Sequence, residues 1–200
     1  MENYFPNKYK EANKSHLASF DILAPLFPVG ITLHYTAGVG LQSIISSLRE
    51  KKLGYHLIIT KDGVAYQCSE FNFKLNHAGK AMWNHSSPNQ SHIAVALESW
   101  GWVTQLTSGS FHSWSGKDLN VSDLRFKNGK WWDAATKPQE DSLLEFLRWA
   151  LENGIEAENI CGHDEAAIPK GRKEDPGGTL TVDTPTLRKI LSVKKGIDNV

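Results

Sequence analysis

The chain has 200 residues, with 22 basic and 22 acidic side chains and a formal net charge of zero. That length suits one domain with a proper core and is short for two, and a balanced charge excludes a nucleic-acid binder that relies on a broad basic surface. Two cysteines, Cys68 and Cys161, are too few for a secreted disulfide scaffold, so a reduced compartment is expected, with Cys161 as a small buried residue.

Residues 1–28 read as a lead-in. Their opening stretch, MENYFPNKYKEANKSH, lacks the apolar segment of an export signal, and nothing downstream reaches membrane-spanning length. The expectation is a cytoplasmic, monomeric protein with no membrane partner. VGITLHY (29–35) has the β-branched and aromatic content of a buried strand ending at His34 and Tyr35. LQSIISSLREKK (41–52) places Leu41, Ile44, Ile45 and Leu48 at helical spacing. YHLIITKDGVAYQC reads as a hairpin turning at Lys61-Asp62-Gly63. After a loop, HIAVALESW is again strand-like.

Residues 101–137, rich in Gly, Ser and Trp, read as an insertion of loops and short strands on the surface. Several of the seven tryptophans fall here, which fits either a sugar- or peptide-binding face or plain packing. PQEDSLLEFLRWALENG (138–154) is the clearest helix. Pro138 suits its first turn, Gly154 its exit, and Leu143, Leu144, Leu147 and Leu151 its buried stripe. SVKKGIDNV should fray at the end. Strand, helix, hairpin, strand, insertion and helix together predict a single α/β domain: a mixed central sheet flanked by helices.

The chemistry points to GHDEAAIPKGRKEDPGG (162–178). A hydrolytic zinc centre needs three protein ligands and one open position. His163 and Asp175 bracket a loop that can double back on itself, and His34 at a strand end can supply a third ligand. Eight histidines offer many such triples, so spacing alone leaves a second reading open, with His163 as a loop hydrogen-bonder. Lys173 lies two residues before Asp175, on the same side of an extended segment. There its ammonium could hold an oxyanion beside a metal, or pair with Glu174 to little effect.

The phrases LHYTAG, GYHLIITKDG, NHAG, HIAVALE and GHDEAAIPKGRKEDPG occur in the order and spacing of zinc-dependent N-acetylmuramoyl-L-alanine amidases. The chain resembles that family over residues 29–191. The resemblance implies the peptidoglycan-recognition-protein-like amidase fold, one Zn²⁺ held by His34, His163 and Asp175, and a peptidoglycan or muropeptide substrate. In phage-type members a tyrosine faces the metal site, which here implies Tyr55. Members that recycle muropeptides place a glutamate on the next strand, and the aligned residue here is Ala96, with Glu98 two positions on as a substitute acid. The resemblance also puts His77 in the substrate groove, and Arg172 could hold a substrate carboxylate.

The expected activity is hydrolysis of the amide between N-acetylmuramic acid and L-alanine, as a phage-type lysin acting on the wall after release. The rivals are a cytoplasmic recycling amidase, a non-catalytic peptidoglycan-binding module, another zinc peptidase, and a protein with a polymerase-inhibiting partner.

Overall fold

The computed structural model describes residues 5–12 and 22–197. In chain order, β1 (Ile22–Pro25), β2 (Gly30–Tyr35) and α1 (Leu41–Glu50) precede the hairpin β3 (Leu57–Ile59) and β4 (Ala65–Gln67). β5 (Phe73–Lys74), the short α2 (Pro88–Ser91) and β6 (His92–Leu97) follow. The insertion forms β7 (Trp102–Gln105), β8 (Phe111–His112), β9 (Asp118–Leu119), β10 (Leu124–Lys127) and β11 (Lys130–Asp133). Then come α3 (Lys137–Glu152), β12 (Ile160–Gly162), α4 (His163–Ala166) and α5 (Thr184–Ile197).

The central sheet runs β12-β2-β6-β3-β4. Its first four strands are parallel and β4 returns antiparallel from the hairpin. Strand alternation sorts side chains between two layers. Ile31, Leu33, Leu57, Ile59, Ile93 and Val95 face one way, where Leu143, Phe146, Leu147 and Ala150 of α3 and Leu187 and Leu191 of α5 cover them. Ile58 and Ala96 face the other way, under Ile44 of α1 with Leu41 and Leu48 alongside. His34 follows Leu33 and points to this second, thinner layer. The mixed sheet flanked by helices is the architecture that the pattern predicts.

Local signals account for the helix bounds. Thr136 caps α3 in a reciprocal box with Gln139, with Pro138 in the first turn. The buried stripe of α3 is Leu143, Phe146, Leu147 and Ala150, with Leu144 and Leu151 only partly covered. α5 carries residues 192–197 in helix, so that part of the tail does not fray; residues 198–200 lie outside the described residues. α5 is not among the helices predicted above; Asp183 marks its start, accepting from the Thr186 amide at 2.8 Å, with Leu187 and Leu191 one turn apart. Much of the lead-in (1–4 and 13–21) also lies outside the described residues, yet Phe5 and Tyr9 pack edge-on against Trp149 and Phe146, respectively.

The insertion is more regular than a set of surface loops. Its strands form a five-stranded antiparallel sheet, β10-β11-β7-β8-β9, with Val103, Phe111 and Trp132 buried beneath it. Gly101 turns into it at φ 78°, where any Cβ would overlap the Tyr35 ring.

Candidate active site

The site lies at the carboxyl ends of the parallel strands, the usual location for a ligand in an open α/β sheet. β2 and β12 are in register with Gly162 opposite Leu33, so the chain leaves β12 and enters α4 at the level of His34. His163, first residue of α4, therefore arrives beside it, and the two rings lie 4.7 Å apart. The loop then doubles back and delivers Asp175. His34, His163 and Asp175 are all buried, and each offers one ligand atom within 4.8 Å of the others.

The hydrogen bonds fix which atoms those are. His77 Nε2 lies 3.2 Å from the carbonyl oxygen of Pro88, which can only accept, so that nitrogen carries the proton. His77 Nδ1 is then an acceptor, and His34 Nε2 donates to it at 3.0 Å. Likewise His163 Nε2 donates to the Ala78 carbonyl at 2.8 Å. Both remaining Nδ1 atoms present lone pairs, and both point at Asp175 Oδ2, at 2.7 Å from His34 and 3.0 Å from His163. Three acceptors thus converge with no proton assigned among them. Either extra protons or a cation must sit there.

Burial decides against an extra proton on His34: desolvation lowers its pKa and disfavours its imidazolium, although Asp175 pulls the other way. At Asp175, burial pushes the carboxyl up, and its pKa falls below the ordinary carboxylate range only through positive charge and hydrogen bonds from the His163 and His34 side, a charge that a cation among the three atoms supplies without protonating a buried imidazole. Two neutral imidazole nitrogens, one carboxylate oxygen and an outer shell that fixes each tautomer fit a divalent metal with one position left open.

A groove of about 400 Å³ opens onto this triad, and Tyr35, Tyr55, His77, Trp102, Arg172 and Lys173 are among its lining residues. Tyr55 sets its ring 5.1 Å from that of His34, and burial raises its hydroxyl pKa, keeping it a phenol. Lys173 is exposed on the groove wall, and it is Lys130, not Lys173, that pairs with Glu174. His77 does more than line the groove, since it orients His34 from behind. Arg172 is largely committed elsewhere: its guanidinium donates to the carbonyls of Ile168, Ala78 and Lys80 and so ties the metal loop to the 78–80 turn.

Glu98 is placed differently from its expected role. Its carboxylate accepts from the backbone amides of Gly40 and Lys61, so both oxygens are spent on joining two loops, and it does not line the groove. Ala96, in register with His34, puts a methyl group where an acid would need to be.

Sequence reasoning missed two contributors. The Ala78 carbonyl is invisible to a search for side chains. Asn89 accepts from the amides of His77 and Ala78 at 3.0 and 2.8 Å and donates to the Gly79 carbonyl, clamping the turn that carries both outer partners. Its only sequence signal is an Asn twelve residues after the NHAG histidine.

Known structures share this fold. A selenomethionine derivative of AmpD superposes with a TM-score of 0.55 at 17% identity, covering 93% of this chain and 97% of the other. The N-acetylmuramyl-L-alanine amidase AmiD from E. coli, in complex with the substrate anhydro-N-acetylmuramic acid-L-Ala-D-γ-Glu-L-Lys, gives 0.58 at 18% identity. That alignment covers 92% of this chain and 61% of AmiD, so the chain spans less than two thirds of that relative. The amidase LysC from Clostridium intestinale gives 0.51 at 17% identity, with 94% of each chain covered. At these identities the likeness establishes the fold. No curated protein sequence matches the chain. The profile of N-acetylmuramoyl-L-alanine amidases matches residues 25–178, from β1 through the metal loop, and the chain belongs to that family.

Proposed function

We propose that the chain hydrolyses the amide between N-acetylmuramic acid and L-alanine of peptidoglycan, with one zinc ion held by His34 Nδ1, His163 Nδ1 and Asp175 Oδ2. The observation that carries this reading is the convergence of three proton-free acceptors at the floor of a groove that Tyr55 and Lys173 line. Zinc in such a site supplies Lewis acidity toward a water and the scissile carbonyl.

The chain's own residues do the rest. His77 and the Ala78 carbonyl hold the imidazoles in the ligating tautomer. The Tyr55 hydroxyl, kept protonated by burial, donates a hydrogen bond that orients the attacking water or the substrate carbonyl. The Lys173 ammonium, free of Glu174, stabilises negative charge developing on the lactyl oxygen. Glu98 takes no part in proton transfer.

The complete donor set speaks against a binding module that has lost catalysis. Tyr55 beside His34 and a methyl group at Ala96 favour a phage-type lysin that meets intact wall after release over an enzyme of cytoplasmic muropeptide recycling. Digests of purified peptidoglycan, analysed by HPLC and mass spectrometry with and without a chelator, test the activity. Stem peptides beginning at L-alanine should appear, and chelator should stop them until zinc is restored. Products cut elsewhere in the stem, or release indifferent to the chelator, would overturn the assignment. Faster cleavage of soluble anhydro-muropeptides than of sacculi would overturn the lysin setting alone.

A further inference from the structure

We propose that a second cavity, built by the insertion sheet, binds the glycan strand of the substrate. It has a volume of about 480 Å³, larger than the metal groove and within the range of small-ligand sites. Val39, Trp100, Leu119, Asn120, Ser122 and Asp123 line much of it, above a floor that includes Lys61 and Asp133. The proposal rests on the amidase reading for the identity of the polymer and goes beyond it in placing the sugars.

Three observations choose the occupant. First, the ionic groups of this wall are largely spent on partners. Lys61 donates to Asp133 at 2.7 Å and to the Ala134 carbonyl, and Asp118 pairs with His112 at 2.8 Å. Of the wall's other charged groups, Lys117 is offset by Asp123, so no surplus of cations remains to draw in a peptide rich in carboxylates. A neutral, polyhydroxylated ligand suits the amide, hydroxyl and aromatic groups that are left.

Second, Trp114 lines neither cavity but contacts one lining residue of each, Ala37 of the groove and Trp100 of the second cavity. Its Nε1 donates to the Ala37 carbonyl at 2.9 Å, and its ring meets Trp100 edge-on at 6.5 Å. Ala37 lines the metal groove and Val39 the second cavity, two residues along. The side chain is nonetheless 64% exposed. An indole fixed by its N–H with a face free to solvent is a rigid apolar platform of the kind that the CH face of a pyranose stacks on.

Third, the metal groove has a direction. Lys51 lines it, a cation that neither the backbone ties of Arg172 nor the oxyanion role of Lys173 claims, and its ammonium suits a carboxylate of the stem peptide. The scissile amide has peptide on one side and sugar on the other. With the peptide at Lys51, the proposal sends the sugars the other way, past Trp114 and into the insertion cavity.

The test uses the full chain and tetra-N-acetylchitotetraose, which has neither a lactyl amide nor a peptide. Titration followed by calorimetry and tryptophan fluorescence, with chelator present, should show saturable binding. Trp114→Ala should weaken it about tenfold, while Trp114→Phe, which keeps an aromatic face but loses the bond to Ala37, should stay within about threefold of the parent. Thermal melting of each variant confirms that it is folded. Absence of oligosaccharide binding overturns the proposal. So does equal binding by Trp114→Ala, or a free L-Ala-D-Glu-L-Lys peptide that displaces the sugar. Sugar binding in a protein that releases no stem peptides would sustain this site and sink the amidase reading. Stem-peptide release without sugar binding would do the reverse.

Discussion

His77 holds no metal in the proposed centre, yet its removal should cost metal affinity, and the size follows from the hydrogen-bond chain. Its Nε2 proton is committed to the Pro88 carbonyl, which leaves Nδ1 to accept from His34 Nε2 at 3.0 Å. Burial and the neighbouring His34 both lower the pKa of His77, so it stays neutral and keeps that acceptor. In His77→Ala the His34 Nε2 proton loses its acceptor, and the ring can turn or take the other tautomer. Loss of an outer partner of a metal-bound histidine typically lowers affinity about 10- to 100-fold, or about 1.4 to 2.7 kcal/mol. His77→Gln is the informative control. Its amide oxygen can accept from His34 while its NH₂ donates to Pro88, so affinity should return to within about threefold of the parent. Zinc competition against a chromophoric chelator measures all three proteins, and melting without metal separates folding from ligation. A folded His77→Ala that holds zinc as tightly as the parent would refute the tautomer argument.

Other changes test the remaining assignments. Lys173→Ala should lower kcat about 10²- to 10³-fold, the usual cost of losing one oxyanion partner, with little change in melting temperature because the side chain is exposed; an unchanged kcat removes Lys173 from the chemistry. Glu98→Gln should retain most of its kcat but lose about 1 to 3 kcal/mol in urea unfolding, since one of two backbone amides is left without its carboxylate acceptor. The opposite pattern, a collapsed kcat at parental stability, would return Glu98 to catalysis. Burial takes the His92 pKa from 6.5 down to about 4. The unfolded chain therefore takes up this proton first, and stability should fall as pH drops from about 6.5 to 4, by about 3 kcal/mol from this group. Urea midpoints across that window should slope less in His92→Gln, and parallel slopes would show that His92 is not the source.

The parts of this molecule that were legible in the sequence are those written in local pattern. β2 and β6 are near-continuous apolar runs because both of their faces are covered, and α3 announces itself through Pro138, Gly154 and a leucine stripe. The triad was legible because His34 ends a strand and the His163–Asp175 loop carries its own motif. What stayed hidden depends on pairing at a distance or on backbone atoms. Glu98 looks like an acid at the right end of the right strand, and only the positions of Gly40 and Lys61 show that both its oxygens are taken. The strands of the insertion are two to four residues long, too short for alternation to show, so its sheet read as loops. The Ala78 carbonyl has no signature at all.

The insertion therefore belongs to the frame of the proposed metal site as well as to the surface beside it. Trp132 of β11 is buried against Gly177 and Gly178, where any Cβ would overlap its indole. Arg125 of β10 donates to the Thr179 carbonyl at 2.9 Å, the Ala135 amide donates to the same carbonyl at 2.8 Å, and Lys130 pairs with Glu174. These ties grip the chain on both sides of Asp175. From the opposite side, Glu165 holds the Gly162 amide and is itself held by Arg188 of α5, which fixes the entry to His163. The two halves of the ligand loop are thus anchored to different sheets, one to the central α/β sheet and its helix α5 and one to the sheet of β7–β11. A lid that merely closed over substrate would affect its binding alone. A sheet that also holds the 174–179 segment sets the position of Asp175, so a ligand in the proposed glycan cavity would act on kcat as well as on KM without touching the reacting atoms.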